Sequence, residues 1–410
     1  MSRSDVRMLV ISPPCLTAVN RAIYRFLASE YGLTVHLVLP SRSRVGADWK
    51  VCEKPEDEPV EVTLLDVVGT HPNLQRLSGL ERLIASWRPT HVLVDNNPGT
   101  LMARQVVRCV GRLGSARPKV WLETPENQLP DALRDLRLGI RQLKPQLIAG
   151  PLIASWLRRS VIPNVDCMLT LSDAGTQVME ELGLRGRVTK IPLGFDRRLF
   201  YPQSPAVIAS TRARINLTLP TIAYFGRLVP EKGLHILLSA LASVKDLPWQ
   251  FLIDRFSAYQ TPYVASVKAQ LDSLGLAERV IFFDANHSEM PDYMNAADFV
   301  VLPSVSTPKW KEQYGRVVPE AMACGKIVIG SSSGAIPEII GDAGYIFPEG
   351  DSRALGALLR TLLTQDQDPS SLASMRDAAF RRSHTYYSVD RQASIMAELA
   401  QADSLELSAA

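Results

Sequence analysis

Five cysteines in 410 residues are too few and too scattered to staple this chain. Cys15, Cys52, Cys109, Cys167 and Cys324 are odd in number and form no CxxC, which excludes a disulfide framework and a zinc knuckle. A reducing compartment follows as the expectation, and with it a cytoplasmic location. Long apolar runs are also missing. The longest, Gln146 to Leu157, falls short of the ~20 residues a spanning helix needs, and the N-terminal MSRSDVRMLVISPP runs into a proline pair where a signal peptide would be cleaved. No GxGxxG follows a predicted strand, and GxxxxGK[ST], HExxH and GxSxG do not occur, so the dinucleotide, P-loop, zincin and nucleophile-elbow readings lose their support. The six histidines are too dispersed to suggest a metal cluster.

Excess charge of one sign is lacking as well, since 45 Lys plus Arg face 42 Asp plus Glu. Divided along the chain, however, the balance is +7 for residues 1–200 (27 basic, 20 acidic) and −4 for residues 201–410 (18 basic, 22 acidic). Either the first half meets an anionic partner, a membrane surface or an acidic substrate, or its surface composition has simply drifted. Nucleic acid is not expected as a partner.

What is present is a repeated alternation of short β-branched runs with amphipathic stretches, the pattern of βαβ units and a parallel sheet. The first series comprises Arg7–Ser12, Thr34–Pro40, Val60–Val67, Thr90–Asn96, Lys119–Thr124 and Cys167–Ser172, with helical periods at Ala18–Tyr31 and Leu101–Gly111. A polar, proline-bearing linker is expected near residues 197–215. The second series comprises Thr221–Gly226, Gln250–Asp254, Arg279–Asp284, Asp298–Ser304, Lys326–Ser331 and Gly344–Phe347. The fold class is therefore α/β, with two doubly wound domains that bind ligand at the carboxyl ends of their strands, in a cleft between them. The expected boundaries are 1–205, 206–385 and a C-terminal helix, 386–410, that packs back on the first domain.

Two segments carry chemistry. In EQYGRVVPEAMACGKIVIGS, Glu312 and Glu320 are separated by seven residues; Gly315 permits a tight loop, Pro319 suits a first helical turn and Gly325 an αL cap. Amides near Arg316, Val317 and Val318 would then face outward as an anion site. In YFGRLVPEKG, Gly226 would bend the chain after a strand, placing Arg227 and Lys232 as a diphosphate cradle.

These two pairs, R-x4-K and E-x7-E, together with IPLGFDRRLFYP (Ile191 to Pro202) and GAIPEIIGDAGYIFPEGD (Gly334 to Asp351), resemble the retaining GT-B glycosyltransferases of family 4. The likeness runs over residues 219–351 and more loosely over 165–205. It implies a nucleotide-diphosphate sugar donor on the second domain and a glycan or lipid-linked glycan acceptor on the first, in surface polysaccharide synthesis, with no metal or other cofactor. Arg227 and Lys232 would bind the diphosphate, Glu312 would face the transferred sugar and Glu320 the ribose hydroxyls. Amides around Gly315, Arg316, Val317 and Val318 would complete the phosphate site, and backbone groups from Phe283 to Asn286 would meet the base. On the acceptor side Asp95, Asn96, Asn97, Glu123, Glu126 and Asn127 stand at strand ends. The loop Ser12 to Asn20 lacks the glycines usual in the family, and so does Asp254 to Pro262. A nucleotide-sugar epimerase explains the cation and glutamate pairs less naturally. A non-catalytic nucleotide-sugar-binding partner subunit fits the missing glycine loop but not the intact pairs. The stretch Leu133 to Arg159 either lies in an anionic lipid interface, making the protein peripheral at the inner face of the plasma membrane, or forms a buried helix pair broken at Pro151.

Overall fold

The computed structural model describes residues 6–45, 48–55, 58–129, 145–255, 261–364 and 369–409. Two parts of the sequence reading, residues 133–144 of the basic stretch and 256–260 of the loop after Asp254, lie outside the described residues. The chain divides into two units, one formed by Met1–Ile191 with Val389–Ala410 and the other by Pro192–Ser388.

In the first unit β1 (Arg7–Ile11), β2 (Thr34–Pro40), β3 (Glu61–Leu65), β4 (His91–Asp95), β5 (Lys119–Thr124), β6 (Cys167–Thr170) and β7 (Arg187–Lys190) form one sheet in the order β7-β6-β5-β4-β1-β2-β3. Every pairing is parallel. Strands buried on both faces read as continuous apolar runs, as MLVI in β1 and VLV in β4 do. The chain order reverses between β1 and β4, and Ser12 and Asp95 stand at that point. The helix Val389–Ala409 buries Ala393, Met396, Ala397 and Ala400 and packs on Ala22–Ser29.

That helix is anchored by charge. Asp403 accepts hydrogen bonds from the Trp121 indole and from Arg187, each at 2.8 Å, and lies 3.7 Å from His91. Although burial works against its charge, these donors hold the Asp403 carboxyl below the usual carboxylate range. Replacing Asp403 by Ala leaves a buried indole N–H and a guanidinium without their acceptor. The expected cost is about 3 kcal/mol of stability, read as a lower urea midpoint.

The second unit holds β8 (Thr221–Tyr224), β9 (Gln250–Asp254), β10 (Val280–Phe283), β11 (Phe299–Leu302), β12 (Ile327–Ser331) and β13 (Tyr345–Phe347), in the order β10-β9-β8-β11-β12-β13. All are parallel. This is the doubly wound order whose switch point lies between β8 and β11. Trp249, Phe251, Tyr224 and Leu237 pack in its core.

Three expectations are corrected here. Residues 205–214 are not linker: Ser204 caps, and Pro205 opens, a helix Pro205–Arg214, while Phe195 and Phe200 are buried. The chain also passes through Pro151 inside one helix, Pro145–Val161, so no helix pair breaks there. Finally, β7 extends the first sheet beyond the expected strands. None of the five cysteines is joined in a disulfide. Among the described residues no helix is long and apolar enough to cross a membrane.

Candidate donor and acceptor sites

At the switch point of the second sheet, the loops after β8 and β11 are tied together. The Val305 amide donates to the Glu231 carbonyl at 2.8 Å. Gly233, at φ +68°, sits so close to the Pro303 carbonyl that a Cβ would stand 1.8 Å from its oxygen. Only glycine can take this backbone at this approach. The bend expected at Gly226 is present, and Gly233 adds a second position that requires glycine. Gly226 is not left-handed and instead lies against the Tyr224 ring.

This junction brings Lys232, Ser304 and Glu312 together. Lys232 closes a short 3-10 turn, Pro230–Lys232, ahead of the helix Leu234–Ala242. Its ammonium lies 2.6 Å from Glu312 Oε2, and Ser304 Oγ donates to the same oxygen at 2.7 Å. Trp310 offers its ring face to that ammonium, 5.2 Å from the ring centre. Ser331 donates to the Ser304 carbonyl at 2.5 Å, holding that loop from β12. Glu312 is only 3% exposed, and these donors offset the burial of its carboxylate. Arg227 differs, since its side chain is exposed and no carboxylate lies within 4.0 Å of it among the described residues. A cation without an internal partner at a strand's carboxyl end is open to an external anion.

Glu320 lies on the helix Val317–Ala323, 4% exposed. No hydrogen bond reaches its carboxyl among the described residues, and burial pushes its pKa up to about 7, against the pull of Arg316. Gly315 takes the tight turn expected of it, at φ +75°. The helix begins at Val317 with Arg316 as N-cap, which puts Pro319 and Glu320 in its first turn as expected. As a result the Val318 amide donates to the Gly315 carbonyl at 2.8 Å and is used inside the turn.

Part of the loop expected to meet the base uses its backbone groups internally. The Phe283 carbonyl accepts from the Arg255 amide at 2.7 Å, and the Asn286 amide donates to Glu289 at 2.9 Å. Asn286 Oδ1 caps the following turn through Ser288 and Glu289. Neither backbone group is left over, whereas the Phe283 ring, stacked on Tyr293 with centroids 4.4 Å apart, builds a wall of the loop.

In the first unit, Asp95 and Glu123 are paired neighbours at the carboxyl ends of β4 and β5. Ser12 Oγ donates to Asp95 at 2.7 Å, and the Asn96 amide donates to the Glu123 carbonyl. Burial pushes the Cys15 thiol and the Tyr24 hydroxyl well up, and both carboxylates add to that. These five side chains form one cluster at the switch point. Asn97 lies beside it, its Oδ1 accepting from Thr124 at 3.2 Å. Glu126 is committed elsewhere, to Arg158 at 2.6 Å. Sequence reasoning missed Ser304, Trp310, Ser12 and Tyr24. For Ser304 a signal existed, because it ends a predicted strand beside the one leading to Arg227.

Comparison with known proteins agrees with this geometry. Residues 209–382 match the family model described as glycosyl transferases group 1. Among curated relatives, an alpha-maltose-1-phosphate synthase of Mycolicibacterium smegmatis is 28% identical over 48% of this chain and 51% of its own length. The chain therefore spans about half the length of that relative, and the next relatives match over similar shares. The lipopolysaccharide core biosynthesis mannosyltransferase LpcC of Rhizobium leguminosarum bv. viciae is 26% identical over 80% of this chain and 94% of its own. Among solved structures, Anabaena Alr3699/HepE in complex with UDP and glucose superposes with a TM-score of 0.69 at 20% identity, covering 97% of this chain and 100% of that one. This last likeness is one of fold.

Proposed function

We propose that this chain, which belongs to the glycosyl transferases group 1 family through residues 209–382 and has a GT-B fold, is a retaining glycosyltransferase. It moves a sugar from a nucleotide-diphosphate sugar to a glycan or lipid-linked glycan in surface polysaccharide synthesis, working in the cytoplasm. The observation that carries this reading is the meeting of Lys232 and Glu312 at the switch point of the second sheet, beside an Arg227 that has no carboxylate partner among the described residues.

In this reading Arg227 and Lys232 hold the diphosphate and stabilise the charge that grows on it as the glycosidic bond breaks. The acceptor hydroxyl attacks the anomeric carbon from the face the diphosphate leaves, and its proton passes to a departing phosphate oxygen. Glu312 orients the sugar through its hydroxyls while fixing the Lys232 ammonium. Such chemistry depends on position and charge, with no protein nucleophile. The two cations supply the neutralisation that a divalent metal gives elsewhere. Activity is therefore expected to persist in EDTA. The carboxylates and hydroxyls around Asp95 and Glu123 suit an acceptor's hydroxyl groups, and the match to a lipopolysaccharide mannosyltransferase supports a glycan acceptor.

The test is a thermal-shift panel of UDP-, GDP- and ADP-sugars on the full chain. One donor class is expected to raise the melting temperature, by mass action on the folded state, and to be consumed when a glycan acceptor is added. If no nucleotide sugar stabilises the protein even at millimolar concentration, the donor-site reading fails.

A further inference from the structure

We propose that one face of the helix Pro145–Val161 seats the first unit on an anionic lipid surface. Leu152, Ile153 and Trp156 are 56%, 38% and 54% exposed, and Ala149 is exposed with them. The spacing 149, 152, 153, 156 places all four on one helical face. Leu157 and Val161 are buried on the other side, where the helix packs against Leu101–Gly111. The apolar stripe is thus additional to the core-facing side.

Arginines surround it. The Arg104 guanidinium lies 4.1 Å over the Trp156 ring, and its buried Nε has no hydrogen-bond partner among the described residues. Arg108, one turn further along the same helix, is close enough for the two cations to repel. Arg159 is exposed at the end of the stripe. None of the three has a carboxylate within 4.0 Å among the described residues, and the seventeen residues of the Pro145–Val161 helix include no Asp or Glu.

An apolar stripe with a tryptophan and unpaired arginines complements the boundary between acyl chains and anionic headgroups. The indole and aliphatic side chains enter the interface, and the arginine stems let their charged heads reach the phosphates. A second copy of this chain is a poorer occupant. A two-fold contact through the same patch would set arginines against arginines. The +7 balance of residues 1–200 points the same way.

The experiment is co-sedimentation of the full chain with phosphatidylglycerol–phosphatidylcholine vesicles and with phosphatidylcholine vesicles, at low and high salt. Binding is expected only to the anionic vesicles, with release by salt. Ile153→Ser with Trp156→Ala should abolish it, and Arg104→Gln with Arg108→Gln should weaken it roughly tenfold. Trp156→Phe should still bind but lose part of the fluorescence quenching by brominated lipids, which checks the contact in a variant that keeps the packing. Absence of wild-type binding at low salt would overturn the proposal. So would unchanged binding in the Ile153/Trp156 variant, or self-association in light scattering that this variant removes while vesicle binding stays absent.

Discussion

Lys232→Ala is expected to lower kcat for sugar transfer by about 10²–10³, with a smaller change in donor KM, because the lost charge matters most when the diphosphate leaves. The same substitution removes the Lys232 ammonium from the buried Glu312, while the Ser304 hydrogen bond stays. A cost of about 3 kcal/mol in stability is expected, and on its own that could masquerade as a catalytic loss. The double variant Lys232→Met with Glu312→Gln separates the two effects. A neutral pair of similar shape needs no charge compensation, and the side-chain carbonyl of the introduced glutamine can still accept from Ser304. Stability should return to near the wild-type value while transfer stays abolished. Urea unfolding alongside initial rates on each variant makes the check. Recovery of activity with stability would show that the pair only supports the fold.

The chain is most legible where physical constraints are local. Continuous apolar runs such as MLVI and VWL read directly as strands buried on both faces, and Arg227, Lys232, Glu312 and Glu320 stand out because each lies near the carboxyl end of such a strand or in the helix after it. β7, with the sequence RVTK, offers no apolar run to read; as an edge strand it needs only one partner, β6. Glu126 and Asn286 are hard to read for another reason. Both are polar residues in loops, and whether such a group faces a ligand or satisfies its own chain depends on partners distant in sequence, Arg158 in one case, or on turn geometry in the other. The need for glycine at Gly233 is hidden in the sequence because it comes from the Pro303 carbonyl, seventy residues later in the chain. Ser304 and Trp310 likewise acquire meaning only when the loops after different strands converge, and Tyr24 only when its helix meets the strand ends.

Glu320 yields the second large effect, and its sign follows from its burial. Its carboxyl is raised from an ordinary 4.5 to about 7 in the folded protein. Between those values the folded protein keeps a proton that the unfolded chain has released. Stability therefore falls as pH rises from about 4.5 to about 7, and is level on either side as far as this group is concerned. The total is about 3 kcal/mol. Glu320→Gln should remove that slope, making the ligand-free variant more stable than wild type at pH 8 and little different at pH 4. Donor binding should run the opposite way. Ribose hydroxyls that donate to the carboxylate favour its ionised form, so the nucleotide must expel the proton where the carboxyl still holds it. Wild-type affinity should rise as pH climbs through about 7, with proton release visible as a dependence of the calorimetric enthalpy on buffer. In Glu320→Gln, binding should be weaker and free of that dependence. Equal pH profiles for the two proteins would remove Glu320 from the ribose site, and equal stability profiles would remove its buried charge.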